Sequence, residues 1–72
     1  MALSEIQEKI LALVVEGKSN SDIAKALHYT KWNIKYHLEK IYSIYKIPSK
    51  NPQSRRMMLI KEVTKQEMSK LI

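Results

Sequence analysis

Cysteine is absent from the 72-residue chain, glycine occurs once and proline twice. The first absence excludes a disulfide scaffold, a thiolate nucleophile and a cysteine zinc cage. Strand-like alternation and Asn-Gly or Asp-Gly hairpin signals are missing as well, so nothing supports a sheet. The longest uninterrupted apolar run, Ile10 to Val15, is far too short to span a bilayer. The opening Met1-Ala2-Leu3-Ser4-Glu5 has neither the basic nor the apolar region of a secretory signal. No Gly-rich phosphate loop, Ser/His/acid set or paired carboxylates stand out. His28 and His37 are nine residues apart without a cysteine, which fits no zinc pattern. A membrane protein, a secreted mini-protein and a large-pocket enzyme are therefore not expected. Neither is a cofactor or a metal.

What is present is a hydrophobic fraction of 44%, that of a folded chain. At this length it predicts one small domain over residues 1–72, completed by economical helix packing or by a partner subunit. The pattern reads as four helices, at about 4–16, 20–27, 31–45 and 52–70. Ser4-Glu5-Ile6-Gln7 is a capping box, Ile6, Ile10, Leu13 and Val14 face inward, and Gly17 closes the first helix. Ser19-Asn20-Ser21-Asp22 caps the second, whose inward residues are Ile23, Ala24 and Leu27. Thr30 caps the third so soon afterwards that the two helices must cross steeply, the geometry of a helix-turn-helix. Helix three turns Ile34, Leu38, Ile41 and Tyr45 inward. Asn51 caps the fourth, with Pro52 at its first position. A stripe of Met57, Ile60, Val63, Thr64, Met68 and Leu71 on helix four reads first as core, with its far end a candidate dimer seam.

The net charge of +6 is not evenly spread. Residues 1–29 hold three lysines against four acids and residues 57–72 three against two. Residues 30–56 hold Lys31, Lys35, Lys40, Lys46, Lys50, Arg55 and Arg56 against Glu39 alone. The surplus thus falls on helix three and the loop after it, the footprint of a polyanion site rather than of general solubility.

These residues resemble a known family. Leu3-Ser4-Glu5, Ile10-Leu11-Ala12-Leu13 and Glu16-Gly17-Lys18-Ser19-Asn20-Ser21-Asp22-Ile23-Ala24 look like the first half of a LuxR/FixJ/NarL-type DNA-binding domain. Leu27-His28-Tyr29-Thr30, then Asn33-Ile34-Lys35-Tyr36-His37-Leu38 and Ile41, look like the second half. The likeness is greatest to GerE-like members, which consist of this domain alone. It implies an all-α, four-helix helix-turn-helix domain whose third helix enters the major groove and whose fourth dimerises. By position, Lys35 and Tyr36 match the base-reading pair, Asn33 and His37 lie near the DNA backbone, and Thr30 is the recognition-helix cap. Three features depart from the family pattern. Glu39 stands where a basic or polar residue is usual, Lys46 replaces a customary Gly, and the segment from Pro48 to Arg56 is longer than usual.

The expected base contacts are accordingly Lys35, Tyr36, Trp32 and Glu39. The expected backbone contacts are Thr30, Lys31, Asn33, His37, Lys40, Lys46, Lys50, Arg55 and Arg56. Met57, Ile60, Thr64, Met68 and Leu71 form the expected dimer interface. Lys35 either meets guanine or simply pairs with Glu39 on a solvated face. Trp32 fits three readings: packing on sugar or thymine methyl groups, plugging a partner's surface, or leaning on Tyr29. His37 fits a phosphate contact or a half-buried position beneath helix one. The main expectation is a sequence-specific, dimeric regulator of transcription that binds double-stranded DNA in the cytoplasm, at the nucleoid. The rival is a small interaction protein that pairs with a larger regulator of the same family and inhibits it. A DNA-packaging or sigma-factor-like module is a third reading.

Overall fold

The computed structural model describes residues 3–48 and 51–70, with Pro52 and residues 67–70 described by backbone alone. Of the expected contacts, Lys50 and Leu71 lie outside the described residues, as does the side chain of Met68. Four helices follow one another: α1 (Glu5–Val15), α2 (Asn20–Leu27), α3 (Lys31–Ile44) and α4 (Pro52–Lys70). No strand occurs among the described residues.

Each helix begins at a local hydrogen-bonding signal. The Ser4 hydroxyl accepts from the Gln7 N–H at 3.3 Å, and the Ser4 N–H donates to the Gln7 side chain at 3.1 Å. Ser19 and Thr30 accept from the N–H groups of Asp22 and Asn33, each at 3.1 Å. Asn51 accepts from Ser54 at 2.9 Å. Such caps satisfy amides that have no partner inside the helix.

The first three helices also end alike. A left-handed residue stops each one, while the next N–H reaches back five residues to a carbonyl: Lys18 to Leu13, Tyr29 to Ala24 and Ile47 to Tyr42. Gly17 fills the left-handed position in the first, but His28 (φ 59°) and Lys46 (φ 57°) fill it in the others. Lys46 therefore ends helix three sharply without glycine, and the helix does not run on. His28 leaves only Tyr29 and Thr30 before α3 begins, which gives the tight α2–α3 turn its shape.

The core gathers Ile10, Leu11 and Val14 of α1, Ile23 and Ala24 of α2, Ile34, Leu38, Ile41 and Tyr42 of α3, and Leu59 of α4. The third helix packs on both α1 and α2, and α4 lies against α1. Two expectations need correcting. Tyr42, not Tyr45, is the aromatic residue buried from α3; Tyr45 only flanks the core. On α4 the fully buried residue is Leu59, supported by Ile60 and Val63, whereas Met57 is 58% exposed and Thr64 is also exposed. The helix is rotated because Arg55 and Arg56, one turn before Leu59 and Ile60, find their partners on the same inward side. Met57 and Thr64, seven residues apart, consequently share the outer face with Lys61.

Candidate nucleic-acid interface

Burial of Ile34, Leu38 and Ile41 fixes the rotation of α3 and so decides what it shows to solvent. Lys31, Trp32, Lys35, Tyr36 and Glu39 emerge together on the adjoining face, next to the buried stripe. With Asn20 from the start of α2 they line an open groove of about 420 Å³. Trp32 is 81% exposed and Tyr36 55% exposed, a large apolar surface to leave in water beside two lysines. Four of the expected base contacts thus occupy one groove. Asn20 was not anticipated, because nothing local to α2 signals that its cap region faces the third helix.

The flank of α3 carries an aromatic row. The rings of Tyr36 and His37 meet edge-on at 5.6 Å, and those of His37 and Tyr29 at 6.3 Å. His37 is half-buried there, its ring between those of two tyrosines, and its Nδ1 is buried without a hydrogen-bond partner. The Lys40 ammonium lies 5.1 Å from the centre of the Tyr36 ring, a cation–π contact that leaves the side chain exposed. Thr30 and Asn33 are exposed at the first turn, joined through the helix cap. Lys46 is exposed at the other end of the helix, roughly 20 Å away by helical rise.

Trp32 does not lean on Tyr29, whose ring contact is with His37. Nor does Glu39 pair with Lys35. Its carboxylate accepts from Arg55 of α4 at 2.8 Å. The same guanidinium stacks 4.2 Å above the Tyr42 ring, which holds Arg55 to 16% exposure. Arg56 donates to the Asn20 side-chain oxygen at 2.9 Å and to the Lys18 carbonyl. Both arginines expected on phosphates therefore already have partners within the chain, and together they brace α4 against the edge of the groove. The Arg55 cation also offsets the acid that departs from the family pattern, so the groove does not present a free carboxylate.

Burial pushes the Tyr42 phenol above its ordinary value of 10.0, an effect that the Arg56 and Arg55 cations oppose and Glu39 adds to. Among the described residues no cluster of His, Cys, Asp or Glu is placed to hold a metal ion. No described helix is long and apolar enough to cross a membrane.

Comparison with known proteins accords with this arrangement. The chain is 36% identical over 58 residues to the "Putative HTH-type transcriptional regulator YhjB" of Escherichia coli (strain K12). That match takes in 81% of this chain and 28% of the relative, so the chain spans little more than a quarter of its length. No solved structure matches significantly. The family model for bacterial regulatory proteins of the luxR family matches residues 1–53, most of the chain and all of the groove. With its four helices and tight α2–α3 turn, the chain belongs to the LuxR family of bacterial regulatory proteins.

Proposed function

We propose that the chain is a sequence-specific, double-stranded DNA-binding module that regulates transcription, with α3 in the major groove. The observation that carries this reading is the coincidence of the basic surplus of residues 30–56 with the exposed groove on α3. An α-helix fits the major groove, and the N-terminal residues of a recognition helix are those that reach base edges. Lys35 donates to guanine O6 or N7 from the centre of the groove, with Trp32 and Tyr36 beside it. Lys31, Lys40 and Lys46 meet phosphates along the length of the helix, while Thr30 and Asn33 approach the backbone at its first turn. Arg55 and Arg56 act chiefly as struts, contributing only the donors their internal partners leave over. Action on chromosomal DNA would place the protein in the cytoplasm.

The outer face of α4, with Met57 58% exposed and Thr64 beside it, supplies a surface for a second subunit. A homodimer would present two copies of α3 to two related half-sites. The same face would serve a larger regulator of this family if the protein acts by pairing with one. Selection from a pool of randomised duplexes at near-physiological salt separates these cases. Two related half-sites support the dimeric regulator. No enrichment by a folded protein overturns DNA binding and leaves the partner-binding reading. On a selected site, Lys35→Ala should weaken binding by roughly 1–3 kcal/mol and relax preference at one base pair. Unchanged preference would remove Lys35 from the reading set.

A further inference from the structure

Trp32 is the most exposed large apolar side chain of those described, at 81%, and makes no hydrogen bond or ring contact within the chain. It stands second in α3, one residue after Lys31 and one turn before Tyr36. Its indole therefore lies in the first turn of the helix, at the end of the groove formed with Lys31, Lys35, Tyr36, Glu39 and Asn20. Nothing in the fold needs an indole there. The helix is already capped by Thr30, and the core beneath is filled by Ile34, Leu38 and Ile41.

Resting on the DNA-binding reading above, we propose that Trp32 recognises the C5-methyl group of a thymine. The major-groove edges of the bases offer hydrogen-bond donors and acceptors at every position, and one apolar group, the thymine methyl. An indole has a single donor and a broad apolar face, so its ring surface has only that group to pack against on a base edge. The lysines on either side of it, Lys31 and Lys35, direct the helix onto phosphate and purine. The tryptophan then discriminates thymine from cytosine, whose major-groove edge lacks the methyl and presents an amino group. Wedging between base steps is the habit of proteins in the minor groove, which an α-helix does not fit.

The test replaces thymines one at a time by uracil in the duplex selected by the 72-residue protein, since uracil pairs identically and lacks only the methyl. Wild type should lose about fourfold in affinity at one thymine of each half-site, the worth of burying one methyl-sized group, and almost nothing elsewhere. The same scan is run on Trp32→Ala, whose helix content is checked by circular dichroism because the residue is exposed and outside the core. Its penalty at that position should vanish, leaving a flat scan, the coupling expected of two groups in contact. A flat scan in the wild type overturns the assignment and leaves DNA binding standing; with unchanged affinity of Trp32→Ala it points the indole to a protein partner instead. A penalty that persists in Trp32→Ala overturns it in favour of Tyr36. Failure to select any duplex overturns the DNA-binding reading, and this inference with it.

Discussion

At Lys46 the backbone adopts a left-handed conformation that costs an L-residue roughly 1–2 kcal/mol. The N–H of Ile47 nevertheless reaches the Tyr42 carbonyl at 2.9 Å, so the helix end is paired as well as glycine would pair it. Lys46→Gly should raise stability by roughly 0.5–1 kcal/mol, the relieved strain less the extra freedom of glycine when unfolded. A denaturant midpoint that fails to rise would show that the lysine is comfortable there. Tyr42 provides a second residue-scale expectation. Its phenol is buried, and burial raises its pKa above 10.0. The folded state then holds the phenolic proton more tightly than the unfolded chain. Tyr42 thus favours the fold below about pH 10 and ceases to do so as the pH climbs through its folded-state value. Tyr42→Phe should flatten the alkaline decline in stability above that point, read from thermal midpoints across the range. An identical decline in the variant would assign it to other groups.

Among the helices, the starts were legible because a cap is a three-residue signal that needs no tertiary information: Ser4, Ser19, Thr30 and Asn51 all accept from an N–H three residues on. The facing of α4 was legible only in part. Ile60 and Val63 of the expected stripe do pack on the core, but Leu59 stands outside that stripe, and periodicity alone prefers Met57 and Thr64 to it. What turns the helix comes from far along the chain, Glu39 sixteen residues before Arg55 and Asn20 thirty-six before Arg56. The groove was legible for the opposite reason, since Lys31, Lys35 and Glu39 repeat every four residues on a single helix. Asn20 enters from another helix, and no periodicity within α3 can reveal it. The docking of α4 gives a paired prediction. Leu59→Ala should cost about 2–5 kcal/mol, a large share of the stability of so small a domain, while Met57→Ala should change it by less than about 0.5 kcal/mol. Equal losses in denaturant titrations would mean that α4 is seated on its other face.

For the molecule as a whole, binding and folding draw on different forces. If three lysines of each chain, Lys31, Lys40 and Lys46, meet phosphates, raising salt from about 50 to 200 mM should weaken DNA binding roughly 40-fold per chain. Folding rests instead on an apolar core in which no polar or charged residue is buried among those described. Arg56 belongs with the core in this respect. Its partners are the carbonyl of Lys18 and the amide oxygen of Asn20, neutral acceptors in a partly covered position. Mobile ions have little hold on such a contact, and the Arg55–Glu39 pair that they do screen is half-exposed on its acidic side and contributes little to stability. The helical signal in circular dichroism should therefore stay constant over the range in which the DNA is released. A brace that reaches from α4 to neutral oxygens beside α2 would keep the domain folded at salt concentrations that release a duplex, so that release would be a reversible event.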